Sequence, residues 1–354
     1  MLHVDLDEFV AAVEVLRRPE LAGREVVVGG RGDPSERAVV STASYAARER
    51  GVRSGMPLRT AARKAPDATF LPVDGEHYTA VSGTVMEVLR ATGALVEVLG
   101  WDEAFLGVDV DDPEAFAERV RADVLAATRL HSSVGIGDNR VRAKIATGFA
   151  KPRGAFRLTA DNWVEVMAHR PVRDLWGVGA KVAGRLAGLG IRSVADLAAA
   201  EPAVLAGELG PKLGPWYGSL GRGEGSAVVD DSPWVARGHS RETTFQRNVR
   251  GAEEVGAALR TLTAGVMEDV AADGRPVVRV GLKIRYAPFE TTTRSRALPA
   301  HTRDAAAVLD AVLALAAAAV DPERELRLLG VRAEMEMPHD AVDPVARTPL
   351  RGRV

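Results

Sequence analysis

Acidic side chains at two separated places are the groups in this chain best suited to chemistry. Asp5 and Asp7 close the first apolar run, Leu2-His3-Val4, and Asp102-Glu103 stand inside Leu-Gly-Trp-Asp-Glu-Ala-Phe-Leu, residues 99–106. Carboxylates gathered at strand ends can share a hard cation, and with no cysteine in the chain any metal must sit on oxygen or histidine. Pattern alone favours pairing Asp5 with Asp7, because residues two apart share a strand face. Asp102 and Glu103 would face opposite sides of a regular strand, but at a hairpin tip both could turn to one ion. A second set is Thr42, Tyr45 and Arg48, three apart in a hydroxyl-rich stretch that reads as a helix from about residue 41 to Gly51. On one helix they would share a face, and hydroxyls with a guanidinium suit phosphate oxygens.

The elements that must position these groups follow from periodicity and breakers. Leu2-His3-Val4 reads as a buried strand delivering Asp5 to its end, and 26–29 as a second strand closed by glycines. Helices are expected at 58–64 and 76–91. Two strand-like runs, 96–99 and 104–108, then form a hairpin with the acids at its tip. A helix at 113–128, a strand at 132–137 and a helix at 140–150 complete a first αβ body. The stretch Asp174-Leu-Trp-Gly-Val-Gly179, followed by helical runs at 180–189 and 194–200, has the form of a helix-hairpin-helix. Gly177 and Gly179 would let main-chain amides approach a phosphate of DNA, with Lys181 beside them. A Gly-, Ser- and Asp-rich stretch at 221–233 marks a linker. Beyond it the order βαββαβ suggests a ferredoxin-like sheet, whose Lys283, Arg285, Thr291, Thr293, Arg294 and Arg296 could present a basic strand face, against the alternative of an ordinary solvated one.

With 354 residues, 46% of them hydrophobic, the chain has material for two to four packed domains. No secretory leader opens it and no run of about 18 apolar residues occurs, so no membrane is expected and the cytoplasm is the natural compartment. The net charge of −2 is unevenly spread: residues 140–192 hold eleven Lys or Arg against three Asp or Glu. That tract could meet an anionic partner, although arginine outnumbers lysine throughout and part of the excess reflects composition alone.

Taken together, Leu2 to Asp7, the run from Val40 through Arg48, Gly51-Val-Arg-Ser-Gly-Met-Pro57, Asp102-Glu-Ala104, Ser133-Val-Gly-Ile136, Ala143-Lys-Ile-Ala146, Ala150-Lys-Pro152, Thr243-Thr-Phe245, Leu282-Lys-Ile-Arg-Tyr286 and Arg327-Leu-Leu-Gly-Val331 resemble, in order, the motifs of Y-family DNA polymerases of the DNA polymerase IV branch. The resemblance covers nearly the whole chain. It implies an α+β right-hand polymerase, with palm at 1–8 and 74–158, fingers at 9–73 and a helix-hairpin-helix thumb at 159–228. A linker at 229–236, a little finger at 237–335 and a tail at 336–354 would follow. The implied activity is low-fidelity, template-directed DNA synthesis in translesion synthesis and repair. The implied partners are primer–template DNA and deoxyribonucleoside triphosphates, taken up by a monomer.

By the same resemblance Asp5 and Asp102 would bridge two Mg²⁺ ions, with Mn²⁺ able to substitute. Glu103 would hold the ion at the primer hydroxyl and the Leu6 carbonyl would complete the triphosphate-side ion, leaving Asp7 a supporting role. Thr42, Tyr45, Arg48 and Lys151 would bind the triphosphate. Val39, Ser41 and Gly55 would form a thin roof over the nascent base pair. Two departures stand out. After Phe9, the family's usual aromatic sugar gate is Val10, so ribonucleotides should be poorly excluded, a trait of a subgroup with an aliphatic gate. Residues 334–354 contain no glutamine-and-apolar peptide of the kind that docks on a sliding clamp, so synthesis should be clamp-independent. Trp101 has no functional account and reads as packing. A non-catalytic DNA scaffold would not need all three acids, and a two-metal nuclease would not need the triphosphate set; an RNA-handling enzyme stays open through Val10.

Overall fold

In the computed structural model, which describes residues 1–338, the first apolar run forms strand β1 (Leu2–Leu6), buried along its whole length. Helix α1 (Phe9–Arg17) follows. A small sheet is built from β2 (Val26–Val28), β3 (Thr42–Ala43) and β4 (Thr69–Leu71) in the order β3-β2-β4, with the short helices α2 (Tyr45–Glu49) and α3 (Leu58–Lys64) between its last two strands. The chain continues as α4 (Gly75–Ala91), the hairpin β5 (Leu95–Val98) and β6 (Glu103–Gly107), α5 (Pro113–Thr128), β7 (Ser132–Gly137), α6 (Arg140–Ala150) and β8 (Ala155–Leu158). These strands make a five-stranded sheet, β5-β6-β1-β7-β8, with β1 at its centre.

Register decides which residues the two faces carry. Val4 lies opposite Ala104 and Val134, and these pack with α4 and α5 residues such as Val85, Leu89, Phe116 and Val120 in one core. Their neighbours take the other face: His3 lies opposite Phe105 and Gly135, and Asp5 opposite Glu103 and Ser133. Helix α6 covers this second face at very short range. A Cβ on Gly135 would collide with the Ala143 carbonyl oxygen and stand 2.6 Å from Thr147 Oγ1, and one on Gly137 would collide with the Ala143 amide. Glycine is needed at both places for closeness rather than for backbone freedom.

The far side of α6 supplies Val141, Ile145 and Ala146 to a second core. The helices α7 (Ala160–Met167), α8 (Ala180–Gly188), α9 (Val194–Ala199), α10 (Pro202–Leu209) and α11 (Leu213–Gly221) close around it, with Trp163, Leu186 and Leu197 buried. The following residues are bonded back onto this body. Asn139 Nδ2 donates to the Gly223 carbonyl at 2.9 Å, the Arg140 amide to Ser226 at 2.9 Å, and the Asp230 amide to Glu97 Oε2 at 3.0 Å. The break between the chain's two compact units falls between Ser232 and Pro233.

The second unit comprises Pro233 onward together with Pro34–Ala38 and Pro57–Arg59. Its elements are β9 (Gly238–Val249), α12 (Ala252–Asp273), β10 (Val277–Tyr286), β11 (Thr291–Thr302), α13 (Ala305–Ala319) and β12 (Leu326–Met335), the expected βαββαβ order. The antiparallel sheet runs β11-β10-β12-β9, so the last strand is inserted between the first two, as in a split βαβ unit. Val280, Leu282 and Ile284 of β10 face a core that includes Leu259, Val266 and Val312 of the two helices.

Two expectations are corrected. Thr42 is not helical: it pairs with Val28 in β3, and helix α2 starts at Tyr45 because Ser44 caps it, its hydroxyl accepting the Ala47 amide. Thr42 therefore does not share a helix face with Tyr45 and Arg48. The six polar residues of the second unit also do not form one strand face. Lys283 and Arg285 lie opposite Thr293 and Thr291, but Arg294 lies opposite Leu282 and Arg296 opposite Val280, on the face that carries the helices. Both arginines stay exposed there because β11 is an edge strand. The absence of a clamp-docking peptide was read largely from residues 339–354, which lie outside the described residues. Among the described residues no helix is long and apolar enough to cross a membrane.

The close packing of α6 sets a stability prediction. Gly135→Ala should cost about 2–3 kcal/mol by overpacking. Gly148→Ala, on the exposed side of the same helix with nothing within 4 Å of the added carbon, should gain about 0.5–1 kcal/mol. Urea unfolding of the two variants checks both signs.

Candidate active site

The acids are assembled by strand pairing. Asp5 and Glu103 sit directly across from one another on β1 and β6, and the Leu6 amide donates to the Asp102 carbonyl at 2.8 Å, so the hairpin tip is fastened to the end of β1. Two lysines of the α6 region meet these carboxylates. Lys151 Nζ is 2.5 Å from Asp5 Oδ1. Lys144 Nζ is 3.7 Å from Asp5 Oδ2 and forms a tight ion pair with Glu103 Oε2. His3 lies behind, fully buried, its Nε2 3.5 Å from Glu103 Oε2 and its Nδ1 2.8 Å from Thr147 Oγ1.

The electrostatics of the three acids differ. Burial, and then the charges of Asp5 and Glu103, push the Asp102 carboxyl up to about 6. Burial also raises Glu103, but the His3 imidazole and Lys144 ammonium outweigh it and bring that carboxyl down to about 2. Burial lowers His3 to about 4, so its ring is neutral at physiological pH. Among the described residues no three carboxylate or imidazole groups close on a single point, and the Lys144 ammonium lies between Asp5 and Glu103. The donor set nevertheless fits a hard divalent cation: all three are carboxylates, two already hold cationic groups, and a cation would relieve the repulsion that Asp5 and Glu103 exert on Asp102.

Asp7, the pattern-based alternative, is fully engaged elsewhere. Its carboxylate accepts from the Tyr45 hydroxyl at 2.8 Å, the Ser133 hydroxyl at 2.9 Å and the Arg153 amide at 2.9 Å, which ties the end of β1 to α2, β7 and the chain after α6. Burial, and then the Asp7 bond and charge, hold the Tyr45 phenol well above the ordinary tyrosine range. Arg48 lies 5.3 Å over the Tyr45 ring and donates from Nε to the Ala43 carbonyl at 2.9 Å, beside Thr42. The structure thus joins Tyr45 and Arg48 to each other and Arg48 to the carbonyl that follows Thr42, with Thr42 itself in the strand. Val40 donates its amide to Met56 and accepts from the Gly55 amide, each at 2.8 Å, which sets exposed Val39 and Ser41 beside Gly55. Phe9 and Val10 open α1 and are buried, Val10 with 6% of its surface exposed. In the helix-hairpin-helix, Gly177 adopts a φ of +90°, Gly179 caps α8 and Lys181 is exposed on its first turn. Lys283 is paired with Glu242 at 2.7 Å, and Arg285 donates to Thr291 Oγ1 at 2.7 Å.

Sequence reasoning gave no role to His3 or Lys144 and missed the buried pair of Arg140 with Glu97, joined at 2.5 and 2.8 Å. Two of these had a signal. His3 is two residues before Asp5 on the same strand, and Lys144 precedes Lys151 by seven residues, two turns of helix.

A sheet whose central strands carry clustered carboxylates, followed by a helix-hairpin-helix and a separate βαββαβ unit, defines the polymerase class of nucleotidyl-transfer proteins. Residues 4–148 match the impB/mucB/samB family, 161–191 the IMS family HHH motif and 236–341 the impB/mucB/samB family C-terminal domain. The chain is 47% identical to "DNA polymerase IV 2" of Mycobacterium tuberculosis, over 95% of this chain and 97% of that one. It is 37% identical to "DNA polymerase IV" of Methanoculleus marisnigri, covering 95% and 94%. Its fold matches the solved "Y-family DNA polymerase chimera Dbh-Dpo4(243-245)-Dbh" with a TM-score of 0.84 at 23% identity, over 95% of this chain and 99% of that one. The chain belongs to the impB/mucB/samB family, in its DNA polymerase IV branch.

The charge pattern makes the two acids at the end of the first strand and hairpin separable by stability. Asp7→Asn replaces one of two oxygens that share three donors and should cost about 1.5–3 kcal/mol. Asp102→Asn should raise stability at neutral pH, because ionising a group whose carboxyl is raised in the fold is unfavourable. The sign also fixes a window: the Asp102 contribution is present below its ordinary value near 4 and lost as pH rises through about 6. Denaturant unfolding in chelator between pH 4 and 7 should show wild type falling relative to Asp102→Asn across that window; parallel profiles would contradict it.

Proposed function

We propose that this chain is a template-directed DNA polymerase of low fidelity that copies damaged template, and that Asp5, Asp102 and Glu103 are its catalytic acids. The observation that carries the reading is the in-register pair Asp5–Glu103 with half-buried Asp102 beside it, its carboxyl raised by burial and then by the charges of those two acids. In the step itself the primer 3′-hydroxyl oxygen attacks the α-phosphorus, its proton passes to solvent, the bond to the β-phosphate oxygen breaks and pyrophosphate leaves. Asp5 and Asp102, with the Leu6 carbonyl and Glu103, are the residues that would hold two Mg²⁺, or Mn²⁺. Bound there, such ions supply charge stabilisation to the attacking and leaving oxygens.

The remaining roles belong to the chain's own side chains. Tyr45, Arg48, Thr42 and Lys151 take the triphosphate, with Lys151 turning from Asp5 to a phosphate oxygen. Val39, Ser41 and Gly55 roof the base pair with small side chains, so a distorted template base is not rejected by sterics. Gly177, Gly179 and Lys181 hold the DNA backbone. Of the basic residues in the second unit, Lys283 and Arg285 share the sheet face open to DNA. On this reading palm is 1–8 and 74–158, fingers 9–73, thumb 159–228, linker 229–236 and little finger 237–335, and the enzyme works as a monomer on DNA in the cytoplasm.

Extension of a labelled primer on a DNA template tests the function. It should need a nucleoside triphosphate and a divalent cation, should pass lesions at which a replicative enzyme stops, and should vanish in Asp102→Ala; DNA binding without extension would overturn it. A second prediction concerns the sugar. Because Val10 is smaller than an aromatic gate, wild type should insert ribonucleotides readily, and Val10→Phe should raise the deoxy-to-ribo preference on the order of 10- to 100-fold. The ratio is unaffected by any general loss from enlarging a buried side chain, and an unchanged ratio would remove Val10 from the gate.

A further inference from the structure

The imidazole of His3 is in an arrangement that the proposed mechanism leaves unused. The ring is completely buried, and Nε2 has no hydrogen-bond partner, yet it points at Glu103 Oε2 from 3.5 Å. Its other nitrogen is fixed by Thr147, whose hydroxyl also lies 3.0 Å from the Ala143 carbonyl and 3.2 Å from the His3 carbonyl. That hydroxyl has one proton to give. If it went to a carbonyl, Nδ1 would carry the ring proton and a bare Nε2 lone pair would face a carboxylate. If it goes to Nδ1, the ring proton sits on Nε2 and faces Glu103. Only the second distribution is electrostatically favourable, so the surroundings select the Nε2–H tautomer.

The surroundings that do this are specific. Gly135 gives α6 room to bring Thr147 onto His3, and Phe105, edge-on at 4.9 Å, keeps the ring in its plane. Both groups that meet Glu103, the His3 ring and Lys144, approach the same oxygen, Oε2. Lys144 is a long side chain that a divalent cation would displace. The imidazole cannot leave.

We propose that His3 is a positioning residue: an Nε2–H donor, set by Thr147, that orients the Glu103 carboxylate when Lys144 gives way to a divalent cation. The inference rests on the reading of Glu103 as a cation ligand. It explains why a histidine occupies a buried position on β1 where an aliphatic residue would pack as well. Donors behind a metal-binding carboxylate typically change metal affinity or activity by 10- to 100-fold when removed.

The test uses the full chain bound to primer–template and a non-hydrolysable deoxynucleoside triphosphate, with Mn²⁺ binding followed by electron paramagnetic resonance. His3→Leu should weaken Mn²⁺ binding on the order of 10-fold. His3→Gln, whose amide can put a donor near the place of Nε2, should recover most of it. Equal Mn²⁺ affinity in wild type and a folded His3→Leu overturns the proposal, as does equal loss in both variants, which would mark a packing role. The tautomer is read independently by long-range ¹H–¹⁵N correlation of the histidines, assigned with His3→Gln. A proton on Nε2 supports the proposal; one on Nδ1 overturns it, even where His3→Leu fails to fold. Primer extension by wild type, absent in Asp102→Ala, run alongside, separates failure of this inference from failure of the polymerase reading.

Discussion

Negative charge held at the centre of a sheet is the constraint around which this molecule is arranged. Asp5 and Glu103 are fixed opposite each other by strand register and Asp102 adjoins them at the hairpin tip, Asp5 buried and the other two half-buried. Like charges at such range must be balanced, and the protein does it with Lys144 and Lys151. Ammonium groups on flexible stems are well chosen for the purpose, because they neutralise the carboxylates and can turn away by simple rotamer changes when another cation or a phosphate competes.

The helix that carries these lysines determines much of the surrounding fold. Helix α6 can lie against β7 only because Gly135 and Gly137 lack side chains, and its opposite side seeds the second core. At its first turn Arg140 forms the buried pair with Glu97 and stacks 4.6 Å over Phe105, the residue two places after Glu103 on β6. A buried ion pair of this kind contributes little net stability, but losing one partner leaves an uncompensated charge, so it fixes geometry more than it adds energy. Here it fixes β5 to α6 and receives the amide of Asp230 as well, so the chain leaving the first unit is anchored behind the strand that presents Glu103.

Strand and helix periodicity made most of the elements legible, including the hairpin that presents Asp102 and Glu103. The misreadings have physical causes. Thr42 stands in a Ser- and Thr-rich stretch that reads as the start of a helix, but a β-branched residue opposite Val28 prefers the strand, and Ser44 has the capping geometry. Arg294 and Arg296 alternate with Thr291 and Thr293 along β11, so the six residues cannot share a face, and the inter-strand register, which no local pattern shows, decides that the threonines join Lys283 and Arg285. The Arg140–Glu97 pair joins residues 43 apart, and Thr147 meets His3 across 144, separations at which no local pattern operates. Asp7 shows the converse: strand alternation alone pairs it with Asp5, the family resemblance sets it apart, and in the structure its carboxylate is occupied by three donors of the protein.

The central claim is that the carboxylates now balanced by lysines are the site of the divalent cations. Anomalous scattering at the manganese edge, from crystals of the chain with primer–template, an incoming nucleotide and Mn²⁺, tests it most directly. The account predicts peaks among Asp5, Asp102 and Glu103, with Lys144 and Lys151 turned away from them. Manganese bound elsewhere, with both lysines still on Asp5 and Glu103, would contradict it.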